Sequence, residues 1–450
     1  MKIAGVILAA GQGTRMKSTL PKVLHPVMGK PMIHYSIDTV TRVTGKKPYT
    51  VVGFDEQMIR QQLGDKIEYI IQDPQLGTGH ALQTAAEVLQ GKSDYILVTL
   101  ADMPLIRQET MQAVVDAHVS GGGPITMLTV RNRDARGFGR VLRNTQGEVL
   151  SIVEEAQATQ EQLQIEELNT SVYCFTASWL WQALDQIPMS PKGEYYLTDL
   201  MGIAVAGGKL VQTVALDDPV EAIGVNSRDH LAEVTYWMKK RINMDWMLSG
   251  VTIIDPDSTY IEGEVEIGTD SVIWPNTYLT GKSVIGKGCQ VGPNAVVRNT
   301  QLGNRSKVVM SVLEEADVDE DVDIGPFAHL RKGARIGKGV HIGNFGEIKN
   351  SVLGEGTKMG HFSYIGDATI GPEVNIGAGT ITCNFDGEKK NHTEIEEGAF
   401  IGSDTMLVAP VKIGKGARTG AGSVVTRDVP ADTLAVGMPA RMIKKLNKSD

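Results

Sequence analysis

The sequence predicts two folds in one chain: an α/β domain with a Rossmann-like mixed sheet, followed by an all-β left-handed parallel β-helix. Two observations indicate this. In the first half, short apolar strands alternate with amphipathic helices, which is typical of a mostly parallel sheet covered by helices on both faces. In the second half, an aliphatic residue returns mostly every six residues, and three such hexads form one triangular coil of a solenoid.

The elements of the first domain follow from apolar runs and their spacing. The predicted strands are 3–9, 50–53, 67–71, 95–100, 125–130 and 172–175, and the predicted helices include 57–63, 81–89 and 110–119. A hairpin is predicted at 140–154, turning at Asn144-Thr145-Gln146-Gly147. In open α/β sheets ligands bind beyond the carboxyl ends of the strands, so the residues that follow these strands are the first candidates for a site.

A single long helix is predicted between the two domains, because residues 228–248 contain neither Gly nor Pro and are followed by Ser249-Gly250. The sequence therefore predicts three parts. They are a domain at 1–227, a linker helix at 228–250, and a β-helix domain with a C-terminal tail at 251–450.

The hexad period is clearest between residues 324 and 376. Gly follows many of the aliphatic anchors, and we expect each anchor to point into the coil while Gly lies near a corner. The same period continues on both sides, so the solenoid is predicted from about 251 to 428. The ten central anchors are Ile324, Leu330, Ile336, Ile342, Ile348, Leu353, Met359, Ile365, Ile370 and Ile376.

Composition excludes several classes of protein. The net charge is −9, from 53 acidic and 44 basic residues, which argues against a general nucleic-acid binder. The sequence has no apolar run of the ~18 residues that a membrane span needs, and glycines interrupt the apolar N-terminus, which argues against a signal peptide. The odd number of widely spaced cysteines, Cys174, Cys289 and Cys383, indicates a reduced, cytoplasmic protein.

A glycine-rich loop follows the first predicted strand. It reads Gly11-Gln12-Gly13-Thr14-Arg15, with Pro21-Lys22 further on. Backbone N–H groups in such a loop can approach a phosphate closely, and Arg15 and Lys22 supply positive charge. The loop lacks the Gly-Lys-Ser/Thr of a P-loop and the third glycine of the dinucleotide motif. A lone glycine-rich turn is more often structural, whereas the full string with Pro21-Lys22 favours phosphate binding.

The carboxylate of Asp102 follows the predicted strand at 95–100. The run Leu97-Val98-Thr99-Leu100 leads to Ala101-Asp102, where a hard oxygen ligand for Mg²⁺ would face a triphosphate. Asp102 could equally cap the next helix, and this motif alone does not decide between the two roles.

These motifs resemble those of the sugar-nucleotide pyrophosphorylases, which carry a glycine-rich loop, an Arg, and a Lys in a loop beginning Pro-Lys. Further strings, Gln72–Thr78, Glu154-Glu155, Asn169-Thr170 and Gly224-Val225-Asn226, are similar to one family of them. It is the bifunctional family of N-acetylglucosamine-1-phosphate uridylyltransferases and glucosamine-1-phosphate acetyltransferases. The resemblance covers nearly the whole chain, because that family joins a nucleotidyltransferase domain through a long helix to a hexapeptide-repeat domain.

The resemblance implies a uridylyl-transfer site in which a sugar-phosphate oxygen attacks the α-phosphorus of UTP and expels pyrophosphate. Such a reaction needs charge neutralisation and in-line positioning. The implied nucleotide-binding residues are Leu8, Ala9, Ala10, Gly11, Gly13, Arg15 and Lys22, with Gln72, Gly77 and Thr78 reading the uracil. The implied residues for N-acetylglucosamine 1-phosphate are Gly139, Glu154, Asn169 and Asn226, and Asp102 with Asn226 would bind Mg²⁺.

A second polar group interrupts the small residues of the solenoid around His361. A histidine there is by default structural, but Arg331 and Lys349 are eighteen residues apart, which is three hexads, so they should stack one coil apart. Two cations held together suggest a phosphate between them. The resemblance implies that Arg331, Lys349, Tyr364 and Asn375 bind glucosamine 1-phosphate, that His361 is the general base for its amine, and that Glu347 orients His361.

The resemblance also implies acetyl-CoA contacts and a homotrimer whose acetyl-transfer sites lie between chains. The polar segment 384–398 breaks the hexad period, as an arm that reaches a ligand or a neighbour would. In place of the family's C-terminal Arg contact to coenzyme A this chain has Met438, with Arg441 nearby. The implied acetyl-CoA residues are Ala378, Asn384, Phe385, Ser403 and Ala421. The product would be UDP-N-acetylglucosamine, a precursor of peptidoglycan in bacteria.

Three other interpretations are open to test. The solenoid could be a regulatory or oligomerising domain on a monofunctional pyrophosphorylase, which would leave the group around His361 unexplained. His329, His341 and His361 could bind a metal, as in hexapeptide-repeat carbonic anhydrases, although Arg331 and Lys349 disfavour a cation. A nucleotide sensor without catalysis would leave Asp102 and Asn226 unexplained.

Overall fold

The computed structural model describes residues 1–53 and 55–445 of the 450-residue chain. The last five residues of the predicted C-terminal tail lie outside this part. The chain divides into two compact units, one at Met1–Met238 and one that begins at Lys239. The predicted long helix is present at Arg228–Leu248, and the division falls within it.

The first unit is built on one mixed sheet, which confirms the predicted α/β class. The strands of this unit are β1 (Ile3–Leu8), β2 (Pro26–Val27), β3 (Lys30–Pro31), β4 (Tyr49–Val52), β5 (Glu68–Ile71), β6 (Tyr95–Leu100), β7 (Ile125–Arg131), β8 (Arg140–Arg143), β9 (Val149–Val153), β10 (Glu167–Thr176) and β11 (Val211–Ala215). The main path through the sheet is β11-β7-β10-β6-β1-β4-β5, and β2 and β3 form a separate two-stranded sheet. Along the main path, only β10 runs antiparallel to its neighbours.

Helices cover the sheet, and successive strand residues face two different cores. Val6 and Leu8 of β1 pack in one core and Ile7 in the other, as the two-residue period of a strand requires. The helices are α1 (Met32–Thr44), α2 (Glu56–Leu63), α3 (Gly77–Leu89), α4 (Gln108–Ser120), α5 (Ala177–Leu184), α6 (Asp199–Ala206) and α7 (Arg228–Leu248). The elements that were not named from the sequence are α1, α5, α6, β2, β3 and β11.

The predicted hairpin at 140–154 is confirmed. Strands β8 and β9 pair antiparallel, and the turn closes with the backbone N–H of Gly147 donating to the carbonyl of Asn144 at 3.0 Å. Strand β8 also pairs with β10 at Leu168, which lies beside the carboxyl end of β7. The hairpin therefore extends the main sheet at the carboxyl end of β7.

The second unit is a parallel β-helix with three faces, which confirms the predicted hexapeptide-repeat fold. Each face is one sheet of short strands from successive coils. The first face has Thr252–Ile253, Val272–Ile273, Gln290–Val291, Lys307–Val308, Asp323–Ile324, His341–Ile342, Lys358–Met359, Asn375–Ile376, Phe400–Ile401, Arg418–Thr419, Thr433–Val436 and Arg441–Lys445. The second has Tyr260–Ile261, Tyr278–Thr280, Val296–Arg298, Val312–Glu314, His329–Leu330, Gly346–Lys349, Ser363–Gly366, Ile381–Cys383, Met406–Val408 and Val424–Val425. The third has Glu266–Ile267, Val284–Ile285, Gln301–Leu302, Asp317–Val318, Arg335–Ile336, Val352–Leu353, Ala368–Ile370, Thr393–Ile395 and Val411–Ile413.

The anchors and the corner glycines behave as the period predicts. All ten central anchors are at most 3% exposed and belong to one continuous core along the solenoid. At the corners, the coils approach too closely for a side chain: a Cβ on Gly343 would lie 1.8 Å from the carbonyl oxygen of Gly360 in the next coil. The antiparallel pair Thr433–Val436 and Arg441–Lys445 ends the described solenoid.

None of the helices in the described part of the chain is long and apolar enough to cross a membrane.

Candidate active sites

A cavity of about 320 Å³ opens at the carboxyl ends of β1, β5 and β6 in the first unit. It collects residues that lie almost two hundred positions apart in the sequence. The predicted residues that line it are Leu8, Ala9, Ala10, Gly11, Lys22, Gln72, Gly77, Thr78 and Asp102. Its other lining residues are Val23, Gln75, Ala81, Leu100, Glu194 and Tyr196. The parallel strands explain the grouping, because their carboxyl ends meet at one edge of the sheet.

The glycine-rich loop leaves β1 and turns at Gly13, whose φ of 63° favours glycine. A short 3₁₀ helix follows at Thr14–Met16, and Arg15 within it is exposed. The carbonyl of Met16 accepts a hydrogen bond from Arg228 Nε at 3.2 Å. Gly13 and Arg15 are therefore in the loop beside the cavity but do not line it.

Three predicted polar residues converge on one point. Lys22 Nζ contacts the carboxylate of Asp102 and also donates to Asn226 Oδ1 at 3.2 Å. The backbone N–H of Val225 donates to the carbonyl of Asp102 at 2.8 Å, which holds Asn226 beside it. The two residues predicted as metal ligands are thus adjacent, and Lys22 lies between them rather than free in the loop.

The pair Asp102 and Asn226 fits a magnesium ion. Asp102 Oδ1 is buried without a hydrogen-bond partner in the described chain. The other carboxylate oxygen, Oδ2, contacts the ammonium of Lys22. Mg²⁺ commonly takes only one or two protein carboxylates and completes its shell with water and phosphate oxygens. The described residues contain no cluster of three or more His, Cys, Asp or Glu side chains suited to a metal, so a cation held entirely by such side chains is not supported.

The segment predicted to read the base is rigidly held. Gln72 Nε2 donates to the carbonyl of Gly77 at 2.9 Å and lies 3.1 Å from His80 Nδ1. Thr78 Oγ1 accepts a hydrogen bond from the backbone N–H of Leu197 at 3.1 Å. These contacts fix one wall of the cavity against the segment 194–197.

Gly139, Glu154 and Asn169, three of the four residues predicted for the sugar phosphate, also come together, although they do not line the cavity. The fourth, Asn226, lies with Lys22 instead. The backbone N–H of Asn169 donates to the carbonyl of Gly139 at 2.9 Å. Glu154 Oε1 accepts a hydrogen bond from Thr198 Oγ1 at 2.8 Å. Burial raises the pKa of Glu154, and the nearby carboxylates of Asp199 and Glu194 act in the same direction.

Sequence reasoning missed several residues of this region. Arg140, only 4% exposed, donates from Nη1 to the carbonyl of Phe138 at 2.7 Å and to Glu155 Oε2 at 2.8 Å. It thereby ties the segment containing Gly139 to the end of β9. Thr198 and Tyr196 were also missed, because the string Glu194–Asp199 carries neither a helix nor a strand period.

In the second unit, the second face gathers Glu347 and all but one of the residues predicted to bind glucosamine 1-phosphate. Glu347 pairs in register with Tyr364 of the next coil, and Lys349 with Gly366. Leu330 pairs with Ile348, so Arg331 and Lys349 occupy corresponding positions on adjacent coils, as predicted. Asn375 is the exception, because it lies on the first face.

The cations of this face form a cluster. The ammonium of Lys390, followed by the guanidinium of Arg331, lowers the pKa of Lys349. Arg331 Nη1 donates to Glu347 Oε1 at 2.8 Å. Lys390 comes from the segment 384–398, so the interruption of the hexad period returns a third cation to the cluster. Sequence spacing could not predict this return.

His361 is exposed at the corner between the first and second faces. The Glu347 carboxylate contacts Arg331, and the orienting role expected of it toward His361 stays a prediction. Strand register places Ala378, Ser403 and Ala421 at the same corner position in the next three coils. The predicted base and three predicted acetyl-CoA residues therefore form one column of His and small side chains.

The remaining acetyl-CoA candidates lie in loops. Asn384 Nδ2 donates to Asp367 Oδ2 at 2.5 Å, and Phe385 is 61% exposed. Met438 is 76% exposed in the turn before the strand Arg441–Lys445, and Arg441 is exposed as well.

The three-histidine metal site is not supported. His329 lies on the second face against Glu314 and His341 on the first face against Asp323. With no metal-binding cluster among the described residues, this alternative is set aside.

Comparisons with known proteins agree with both halves of the chain. Residues 5–195 match the model of the MobA-like NTP transferase domain, and residues 392–427 match that of the bacterial transferase hexapeptide. The bifunctional protein GlmU of Geobacillus sp. (strain WCH70) is 46% identical over 100% of this chain and 98% of its own length. The chain belongs to the bifunctional GlmU family. GlmU of Geobacillus thermodenitrificans is 47% identical over the same shares, and GlmU of Carboxydothermus hydrogenoformans is 45% identical over 99% of each chain.

Membership in the GlmU family confirms the resemblance seen in the sequence. The protein is a bifunctional enzyme with uridylyltransferase and acetyltransferase activities. A monofunctional pyrophosphorylase with a merely regulatory solenoid is therefore wrong for this chain.

Proposed function

We propose that the two reactions take place at the two groups of residues found in the two units. The domain at 1–227 would transfer UMP from UTP to N-acetylglucosamine 1-phosphate, the segment 228–250 would connect the domains, and the domain at 251–450 would acetylate glucosamine 1-phosphate. The observation that supports this best is the separation itself. Polar residues converge on a cavity in one unit and on one face and corner of the other.

For uridylyl transfer, the glycine-rich loop and Arg15 would hold the phosphates, and Gln72, Gly77 and Thr78 would read the uracil. The sugar phosphate would rest on Gly139, Glu154 and Asn169. Asp102 and Asn226 would hold Mg²⁺, which supplies positive charge to the phosphates. The protein contributes positioning and charge rather than a covalent intermediate.

The chemistry of that step is a displacement at phosphorus. A phosphate oxygen of N-acetylglucosamine 1-phosphate forms a bond to the α-phosphorus of UTP, and the bond from that phosphorus to the bridging oxygen breaks. Pyrophosphate leaves with the electron pair of the broken bond. Backbone N–H groups and fixed cations stabilise the charge on the leaving group.

For acetyl transfer, Arg331 and Lys349 would bind the phosphate of glucosamine 1-phosphate, together with Tyr364 and Asn375. Their arrangement on adjacent coils suits a dianion. His361 would accept a proton from the substrate amine as the nitrogen attacks the thioester carbonyl, and the thiolate of coenzyme A would leave. The small side chains of Ala378, Ser403 and Ala421 leave a smooth corner along which acetyl-CoA could lie, with Asn384 and Phe385 at its side.

Asn375 gives a reason for a homotrimer. Because it lies on the first face while Arg331, Lys349 and Tyr364 lie on the second, one chain alone does not bring all four residues to one surface. An acetyl-transfer site between chains would resolve this. We place the enzyme in the cytoplasm, where UTP and acetyl-CoA are available.

Separating the activities by mutation tests the proposal. The uridylyl-transfer assay is given N-acetylglucosamine 1-phosphate directly, and the acetyl-transfer assay is given glucosamine 1-phosphate. Asp102→Ala should remove pyrophosphate release and leave release of free coenzyme A thiol unchanged, and His361→Ala should do the reverse. If either substitution abolished both activities in a folded protein, the two-site assignment would be wrong.

A further inference from the structure

A lysine ammonium lies at the point where the proposed uridylyltransferase site would hold its divalent cation. Lys22 Nζ contacts Asp102 and donates to Asn226 Oδ1 at 3.2 Å. The side chains of Lys22 and Asp102 are only 13% and 14% exposed. A carboxylate buried this far needs a cationic partner, and Lys22 provides one without any metal.

The arrangement leaves one oxygen of Asp102 without a partner but opposes a second cation electrostatically. Asp102 Oδ1 is buried with no hydrogen-bond partner in the described residues, so one oxygen is open to a ligand. A divalent ion bound there would stand next to the Lys22 ammonium in a poorly solvated pocket, where repulsion between like charges is strong. Lys22 and the ion therefore cannot both bind the side-chain oxygens of Asp102 and Asn226.

The ammonium of Lys22 is able to move away from Asp102. Its ammonium is carried on a flexible four-carbon stem, and Lys22 lines the same cavity as Ala10 and Gly11 of the phosphate-binding loop. Gly13 makes space for the stem, because a Cβ on Gly13 would lie 2.6 Å from the Cβ of Lys22. The triphosphate of a bound nucleotide would offer the displaced ammonium a new anionic partner.

We propose that Lys22 and the divalent cation compete for Asp102 and Asn226, so that the cation binds tightly only when nucleotide phosphates receive the displaced lysine. This inference rests on the proposed metal site. It assigns Lys22 two positions, one on Asp102 before the metal enters and one on phosphate afterwards. Coupling of this kind is reciprocal, so metal and nucleotide each strengthen the binding of the other.

The test measures Mn²⁺ binding to the nucleotide-free, full-length enzyme by the electron paramagnetic resonance signal of the free ion. Removing the positive charge with Lys22→Met should tighten Mn²⁺ binding at least tenfold. Lys22→Gln, which keeps a polar end, should do the same if Lys22→Met folds poorly, and a cooperative urea unfolding transition of the first unit reports that each variant is folded. Lys17→Met is the matched control, because Lys17 is an exposed lysine of the same loop and its loss should leave Mn²⁺ affinity unchanged.

Two outcomes separate this inference from the metal site on which it depends. Mn²⁺ affinity in both Lys22 variants equal to that of the wild type would overturn the competition. Asp102→Asn combined with Lys22→Met should abolish the gain. If the double variant bound Mn²⁺ as tightly as Lys22→Met alone, Asp102 would not be a ligand, and the proposed metal site itself would fail.

Discussion

Replacing Gly77 with alanine should damage the cavity of the first unit through its backbone. Gly77 has a φ of 96°, and a Cβ there would lie 2.7 Å from the carbonyl oxygen of Tyr195. Two backbone hydrogen bonds hold these segments together, from Tyr195 N–H to the carbonyl of Leu76 and from Gly79 N–H to the carbonyl of Tyr195, both 2.8 Å. The positive φ costs about 1–2 kcal/mol, and weakening two hydrogen bonds costs about 1 kcal/mol each. We expect a loss of about 3 kcal/mol in the unfolding free energy of the first unit.

The same displacement should reduce uridylyl transfer. Gln72 donates to the carbonyl of Gly77, and Thr78 and Tyr196 line the cavity beside it. We expect kcat/KM for UTP to fall at least tenfold, about 1.4 kcal/mol of transition-state stabilisation, with acetyl transfer unchanged. Pyrophosphate release and urea unfolding measure the two effects.

Gly91→Ala is the control for Gly77→Ala. Gly91 has a φ of 76° and no described atom within 4 Å of its would-be Cβ, so alanine there carries the backbone cost alone, about 1–2 kcal/mol. If Gly77→Ala matched Gly91→Ala in both stability and UTP kinetics, the close packing on Tyr195 would not matter and the reasoning would be refuted.

Three further predictions test the core, the pH response and the metal. Ile365→Ala empties a fully buried anchor position, and we expect it to cost about 2–5 kcal/mol in thermal unfolding of the second unit; a loss below about 1 kcal/mol would contradict the stacked core. Burial lowers the pKa of His118 from 6.5 to about 4, so the unfolded chain binds more protons than the folded chain between these values. Stability of the first unit should therefore fall as pH drops from 6.5 to 4, and urea midpoints of His118→Gln should fall less; an equal fall in both proteins would show that His118 is not the cause. Removing divalent cations with EDTA should stop pyrophosphate release and leave thiol release intact, and loss of both would show that the solenoid also needs a metal.

Local patterns in the sequence predicted the parts of the fold that depend on local rules. The six-residue return of Ile324 and its successors determines which side chains enter the coil, and all ten central anchors are buried. The glycine-rich loop and Asp102 follow apolar strands directly, so their place at one sheet edge could be predicted from the order of the strands. The spacing of Arg331 and Lys349 equals three hexads, or one coil, and so it predicted that the two residues stack on adjacent coils.

Contacts between distant segments could not be predicted in this way. Lys22 and Asp102 are 80 residues apart, and only the packed sheet shows that the lysine rests on the carboxylate. Lys390 reaches Lys349 through a loop that has no period. Thr198 approaches Glu154 because α6 packs near β9, a contact that the pattern of either segment does not encode.

The most direct test of the two-site account is a coupled assay of the purified chain. Glucosamine 1-phosphate, acetyl-CoA, UTP and Mg²⁺ are supplied together, and free thiol and pyrophosphate are followed separately. The account predicts release of both, with pyrophosphate dependent on acetyl-CoA. Pyrophosphate formed only when N-acetylglucosamine 1-phosphate is supplied, with no thiol released from glucosamine 1-phosphate, would contradict an acetyl-transfer site on the solenoid.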